Sequence, residues 1–181
     1  MRRTIFSIIG GLLLAGIIHI GVVFMVPYYA VQDAWGRVER LGRADQFHRI
    51  ASSEAGAEPL PMLDPAMLHA VCRFSTEDGP VRISATLPDE FWSVAIFDRR
   101  GRNIYSLNNR SVEHTQLDLA ILTPVQMAQL RQDPPESLET AVVVEVDLDQ
   151  GFVLLRLLVP DETQMAQSVA AMETADCSGE L

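Results

Sequence analysis

Three arginines crowded into one short turn are the residues of this sequence with the clearest chemical potential. The segment DRRGRN places Arg99, Arg100 and Arg102 around Gly101, between two segments in which apolar and polar residues alternate. Alternation on both sides predicts a β-hairpin with the arginines at its tip. Guanidinium groups bind carboxylates and phosphates, so with Arg110 the turn could hold an anionic ligand or an acidic partner. A solvated hairpin tip is the alternative, and the sequence leaves both open.

Other kinds of site chemistry have no local signature in this sequence. The histidines show no spacing typical of zinc ligands, and there is no glycine-rich phosphate loop, nucleophile elbow or recognisable cysteine–histidine pair. Asp147 and Asp149 alternate with apolar neighbours, as solvent-facing residues of a strand do. We therefore predict no metal and no cofactor, and the sequence favours a non-enzymatic role over a catalytic one.

The N-terminal residues indicate a membrane anchor. The segment from Thr4 to Val26 has no charged residue, and as a helix of roughly 34 Å it would cross a hydrocarbon core of about 30 Å. No small-residue cleavage site follows closely, so an uncleaved transmembrane helix is predicted over residues 1–29, with a cleaved signal peptide as the alternative. Arg2 and Arg3 precede the span, which predicts a cytoplasmic N-terminus in the bacterial inner membrane and a periplasmic remainder.

Four residues of this helix, spaced four apart, form a slowly drifting stripe on its surface: Ser7, Gly11, Ala15 and His19. The small residues in the middle of the stripe allow a second helix to approach closely, and a histidine inside a membrane usually faces protein or water. We expect the stripe to contact a partner membrane protein or a second copy of the chain. The alternative is a set of chance glycines and a tolerated neutral imidazole.

The part of the chain beyond the anchor is acidic and carries two cysteines. The chain has 14 basic residues, two of them before the span, against 24 acidic residues. This balance predicts no binding of nucleic acid, whose phosphates require neutralisation. In an oxidising periplasm, an even cysteine count favours a disulfide between Cys72 and Cys177, with two buried free thiols as the alternative.

The remainder consists mostly of predicted β-strands. An amphipathic helix and a linker are predicted over residues 30–61, and a β-rich domain over residues 62–181. Within this domain, alternating segments predict about seven strands, including a hairpin around Gln150 and Gly151, while residues 123–132 and 161–173 predict two short helices. The predicted fold class is mainly β: an antiparallel sandwich or jelly-roll-like periplasmic domain with one or two short helices, preceded by a single transmembrane helix.

A series of short motifs, in this order, resembles a known family. The motifs are DAW at Asp33–Trp35, CRF at Cys72–Phe74, DGPV at Asp78–Val81, FWSV at Phe91–Val94, DRRG at Asp98–Gly101 and YSLN at Tyr105–Asn108. They are similar to those of short, membrane-anchored alphaproteobacterial proteins of domain-of-unknown-function family 1254. The resemblance implies a β-rich envelope domain, often accompanied by a short partner protein with a related 1214-type domain, and it implies no reaction. Many larger relatives have two domains, so a site between domains would need a second protein here.

These patterns together predict an interaction or assembly component of the inner membrane that works with another small membrane protein in the lipid bilayer. The alternative hypothesis is a periplasmic ligand-binding or enzymatic domain that recognises an anionic envelope molecule through the hairpin region from Arg99 to Arg110. A deep pocket in which these arginines converge with a carboxylate would favour the alternative.

Overall fold

The molecule consists of one long helix followed by a β-sandwich. The computed structural model describes residues 2–50, 60, 63–112, 116–138 and 140–178, with the side chains of all of these except residues 30–34 and 136. Most of the predicted linker, residues 51–61, lies outside the described ranges.

Helix α1, Arg2–Glu39, contains both the predicted anchor and the start of the amphipathic segment that follows it. Its apolar part, Arg2–Tyr29, is long and apolar enough to cross a membrane, and the side chains of residues 2–29 are exposed rather than packed on the sandwich. Pro27 lies within the helix without ending it. The candidate membrane span and the first element beyond it are therefore one continuous helix.

Nine strands in the described part of the chain form two sheets. They are β1 His48–Ile50, β2 Met67–Ser75, β3 Val81–Thr86, β4 Trp92–Asp98, β5 Asn103–Asn108, β6 Gln116–Leu122, β7 Val142–Glu145, β8 Gln150–Leu158 and β9 Asp176–Ser178. One sheet has the order β1-β2-β8-β4-β5 and the other β7-β6-β3-β9. Two short helices, α2 Pro124–Leu130 and α3 Met165–Glu173, complete the domain together with 3₁₀ turns at Glu136–Leu138 and Glu162–Gln164. The predicted class, mainly β after a long apolar helix, is confirmed.

Alternation along the strands builds the core between the two sheets. In β3, Val81 and Ile83 are buried, while the residues that follow each of them are partly exposed. Trp92 and Leu155 of the five-stranded sheet belong to the same buried cluster as Leu119 of the four-stranded sheet. Because burying each large apolar side chain contributes roughly 1.5–3 kcal/mol, this shared cluster holds the sheets face to face.

The predicted hairpin around Gln150 and Gly151 is wrong. β7 pairs in parallel with β6, whereas β8 is the central strand of the other sheet, between β2 and β4. Residues 146–149 form no strand and carry the chain from one sheet to the other. β8 is rich in apolar residues because both of its faces are covered: Val153 belongs to the core between the sheets, and Phe152 to a second cluster that includes the end of α1.

Two strands have no visible signal in the sequence. β1 and β9 have three residues each, which is too few for an alternating pattern to appear. Both lie at sheet edges, where they are defined by pairing with β2 and β3 respectively. β1 begins at His48, ahead of the domain start predicted at residue 62.

The end of α1 packs on the outer face of the five-stranded sheet. Val38 is 1% exposed and clusters with Ile50, Val71 and Phe152. One turn earlier in the helix, the ring of Trp35 has its centroid 6.4 Å from that of Phe152. This second, smaller core attaches the helix end to the sandwich.

A disulfide joins the two sheets. Cys72 of β2 is bonded to Cys177 of β9, as the sequence predicts, and both residues are fully buried in the core. Because β2 and β9 belong to different sheets, the bond crosses the sandwich.

Removal of the disulfide, by Cys72→Ala with Cys177→Ala, should lower the free energy of unfolding by about 4–5 kcal/mol. The bond closes a loop with a sequence separation of 105 residues and so restricts the unfolded chain. Urea unfolding in detergent, followed by intrinsic fluorescence, measures the change. Reductant should destabilise the wild type and leave the double variant unchanged. Equal midpoints for the two proteins without reductant would contradict the prediction.

The substitution Val38→Asp should detach the end of α1 from the sheet, because it buries a charge without a partner. Hydrogen exchange followed by mass spectrometry should then show faster exchange in residues 35–41. Arg40→Asp is the matched control, since Arg40 is exposed two residues further along the same helix end. If exchange is as slow in Val38→Asp as in the control, the attachment of α1 to the sheet does not depend on the packing of Val38.

Candidate functional site

The arginine turn is a tight loop that joins β4 to β5. The amide of Gly101 donates to the carbonyl of Asp98 at 2.9 Å, and the amide of Asp98 donates to the carbonyl of Arg102 at 3.0 Å. Gly101 has a φ of 72°, a left-handed conformation that is easier for glycine than for other residues. A type I turn followed by a left-handed residue is common in three-residue hairpin loops, so the turn has a well-defined shape.

The side chain of Asp98 stabilises this turn. Its carboxylate accepts hydrogen bonds from the amides of Arg100 (2.8 Å) and Arg102 (2.9 Å), and from Nε of Arg102 at 2.7 Å. Burial of Asp98 by itself would raise the pKa of this carboxyl group. The hydrogen bonds and the charge of Arg102 outweigh that effect, so the pKa of Asp98 lies below its ordinary value.

The three arginines of the turn have different surroundings. Arg102 forms an ion pair with Asp98 through its Nε, and the rest of its guanidinium group is exposed. The guanidinium carbon of Arg99 lies 5.0 Å from the centroid of the Trp35 ring, a cation–π contact with the end of α1. Arg100 is exposed, and no ion pair joins it to a described residue.

Arg110 lies at the opposite end of the hairpin. It follows β5, whose six residues span about 20 Å. Its neighbour Asn109 donates from Nδ2 to the carbonyl of Glu90 at 3.1 Å, near the start of β4. The structure therefore brings Arg99 and Arg100 together and separates Arg110 from them, so the four predicted arginines do not surround one site.

An open cleft of about 900 Å³ separates the arginine turn from α1. Arg99 and Arg100 line one side, and the helix supplies the other side with Pro27, Tyr28, Trp35, Gly36 and Glu39. The side chain of Glu39 is 60% exposed, and its Oε1 lies 3.9 Å from a guanidinium nitrogen of Arg73. The cleft thus combines cationic hydrogen-bond donors with aromatic surfaces at the end of the candidate membrane span.

All four residues of the stripe on α1 are exposed: Ser7, Gly11, Ala15 and His19. The Ser7 hydroxyl donates to the carbonyl of Arg3 at 3.1 Å and is satisfied within the helix. A Cβ atom added at Gly11 would meet no atom within 4 Å, so this glycine serves no close packing with the described chain. The imidazole of His19 has no hydrogen-bond partner among the described residues.

The cleft residues of α1 are not singled out by the sequence as members of a site. Tyr28 and Trp35 follow the apolar run, where aromatic residues typically mark the membrane interface. No local sequence pattern connects these two residues to the arginine turn, which lies more than 60 residues further along the chain. The contact between Trp35 and Arg99 arises only once α1 lies on the sheet that carries the hairpin.

The described residues contain no group of three or more His, Cys, Asp or Glu side chains that could hold a metal ion. Two carboxylates lie near the arginines of the turn. Asp98 is committed to the turn's own hydrogen bonds, whereas Glu39 is exposed on the helix side of the cleft, near Arg73. The described residues of the cleft therefore combine two arginines with one exposed carboxylate.

Comparisons with known proteins show the family and the fold. The model of a family described as "Protein of unknown function (DUF1254)" matches residues 44–176. No curated protein has a significant match to the chain.

Two solved structures are similar to this chain. The VPA0106 protein from Vibrio parahaemolyticus aligns with a TM-score of 0.61 at 16% identity, covering 83% of this chain and 35% of that one. An uncharacterised protein from Burkholderia cenocepacia aligns with a TM-score of 0.47 at 12% identity, covering 79% of this chain and 38% of that one. The first alignment shows a shared fold. This chain spans less than two fifths of the length of either structure.

Replacing the turn's carboxylate, by Asp98→Asn, should lower the free energy of unfolding by about 1–3 kcal/mol at pH 7, because a neutral amide cannot replace all three hydrogen bonds. Since the folded pKa lies below the ordinary 3.8, the carboxylate's contribution is complete above that value and is lost as the pH falls through the folded pKa. Urea unfolding at pH 7 and well below 3.8 should therefore show the gap between wild type and variant narrowing at the lower pH.

The matched control for this experiment is Asp147→Asn. It removes the same charge from an exposed residue outside the turn, and its effect on unfolding should be small. A gap between wild type and Asp98→Asn that stays constant with pH would contradict the role assigned to Asp98.

Proposed function

The chain belongs to the DUF1254 family of proteins of unknown function, and we propose that it is an assembly component of the bacterial inner membrane. In this proposal α1 spans the bilayer and associates with the helix of another small membrane protein or of a second copy of the chain. The sandwich extends into the periplasm and adds polar contacts there. The observation that carries the proposal is His19, an imidazole in the apolar part of α1 without a hydrogen-bond partner in the described chain.

An unpartnered imidazole in a hydrocarbon environment favours contact with another protein. Polar groups within a bilayer are costly unless they are satisfied, and those found in membrane helices usually face protein or water. Gly11 and Ala15 lie on the same stripe, about two turns and one turn before His19 respectively, and their small size allows a second backbone to come close. Close approach and a polar contact on one face are the features that membrane helices use to associate.

The orientation proposed here follows from charge and redox chemistry. Arg2 and Arg3 precede the apolar run, and basic residues flanking a span usually remain in the cytoplasm. The sandwich would then lie in the periplasm, an oxidising compartment in which a disulfide such as Cys72–Cys177 persists.

The alternative function, a ligand-binding or enzymatic domain acting through the whole hairpin, has weaker support. Arg110 lies at the far end of the hairpin, and Arg102 is paired with Asp98. What remains of that alternative is the cleft beside Arg99 and Arg100, an open surface rather than a deep pocket.

Gly11→Leu should dissolve a complex that forms through the stripe, since the larger side chain keeps a second helix at a distance. Gentle extraction of the tagged protein followed by native mass spectrometry measures the mass of the complex and identifies the partner. We expect a defined hetero- or homo-oligomer for wild type and a monomer for the variant.

Gly10→Leu is the matched control, because Gly10 lies about 100° around the helix from Gly11 and about 180° from His19. A Cβ atom added at either glycine meets nothing within 4 Å, so neither substitution disturbs the chain itself. A monomer in all three samples, or equal loss of the complex in both variants, would overturn the proposal.

A further inference from the structure

We propose that the cleft between α1 and the arginine turn binds the phosphate of a membrane phospholipid and thereby seats the sandwich on the bilayer surface. Arg99 and Arg100 supply the cationic donors, and Tyr28 marks the end of the cleft that enters the headgroup layer. The inference requires α1 to lie in a membrane. It does not require α1 to associate with another helix.

The position of the cleft follows from the length of α1. If Val26 ends the hydrocarbon crossing, Tyr28 stands about 3 Å beyond it and Trp35 about 13 Å beyond it, at 1.5 Å per residue. The headgroup layer on one side of a bilayer is roughly 5–8 Å thick. Tyr28 therefore lies within the headgroups and Trp35 just outside them, and both line the same cleft as the two arginines.

Arg99 and Arg100 line the cleft, whereas Arg102 is not among the described residues that line it. Arg102 already pairs with Asp98. The guanidinium carbon of Arg99 lies 5.0 Å from the centroid of the Trp35 ring, and no hydrogen bond or ion pair joins the N–H donors of Arg99 to a described residue. Arg100 is likewise without an ion pair in the described chain and is exposed. Guanidinium donors of this kind are well suited to phosphate oxygens.

The charge distribution makes the turn the natural contact with a phospholipid surface. The chain has a net charge of −10, which opposes close approach to anionic phosphates. Neighbouring turns at the same end of the five-stranded sheet carry acidic residues, among them Glu77 and Asp149. Glu39 also lines the cleft, but it follows Trp35 by one turn on the side away from the membrane and lies near Arg73.

The attachment of α1 to the sheet makes the contact geometrically specific. Arg99 cannot swing away from the helix without losing its contact with Trp35, which in turn packs near Phe152. The turn is held by Asp98 at the same time. A phosphate bound between helix and turn therefore occupies a position that the fold defines, and adds a contact with the bilayer to the one made by α1 itself.

The test uses the full chain reconstituted in nanodiscs of phosphatidylethanolamine and phosphatidylglycerol. The protein is then extracted gently, and native mass spectrometry measures the phospholipid that it retains. We expect the wild type to retain phospholipid. The double variant, Arg99→Gln with Arg100→Gln, should bind it roughly 30-fold more weakly, which corresponds to about 1 kcal/mol for each arginine. Arg110→Gln, an exposed arginine at the far end of the same hairpin, should behave as wild type. Circular dichroism checks that the variants remain folded.

A second readout in the same nanodiscs is quenching of tryptophan fluorescence by headgroup-labelled lipid. Trp92 is fully buried in the sandwich, so the change reports on Trp35. Quenching should decrease in the double variant, because labelled headgroups no longer bind beside Trp35 in the cleft, and stay unchanged in Arg110→Gln. Equal lipid retention in wild type and double variant, or equal loss in all variants, would overturn the inference. Binding of inorganic phosphate by the detergent-solubilised protein without any arginine-dependent lipid retention would also overturn it.

Discussion

The packing of two aromatic rings, those of Phe97 and Trp35, against Phe152 is the contact on which the arrangement of this molecule depends. Phe152 lies on the central strand of the five-stranded sheet, stacks on Phe97 at 5.1 Å, and approaches Trp35 of α1 at 6.4 Å. One residue therefore connects the middle of the sheet, the arginine hairpin and the end of the helix. Gly151 beside it permits the close fit, because a Cβ atom there would lie 2.5 Å from the carbonyl oxygen of Phe97.

This contact has different consequences for the cleft and for the stripe on the apolar part of α1. At the cleft, it brings the turn arginines to the point where the apolar part of α1 ends, and so gives them a defined place relative to the candidate membrane span. Along the apolar part it has no effect, since the stripe containing Gly11 and His19 remains exposed and uncommitted to the rest of the chain. The molecule thus offers one surface along the candidate membrane span and another at the end of that span.

Much of the fold could be predicted because its signals are local. Alternation in β3 and the apolar run of α1 depend on the period of a single element. Neighbouring residues define the start of α2: the side chain of Thr123 accepts a hydrogen bond from the amide of Gln126, and Pro124 occupies the first turn. The pairing of β7 with β6 could not be predicted in this way, because an apolar strand followed by a turn suits a hairpin and a crossing between sheets equally well.

For the candidate site as well, local features could be predicted and contacts between elements could not. The apolar helix, the β-rich class, the place of the arginine turn and the Cys72–Cys177 disulfide could be predicted from the sequence, since each follows from neighbouring residues or from composition. The separation of Arg110 from the turn, the pairing of Arg102 with Asp98 and the contact of Arg99 with Trp35 are visible only in the folded chain. The physical reason is that a local pattern fixes the geometry of one element, whereas the distance between elements is set by the side chains that fill the space between them.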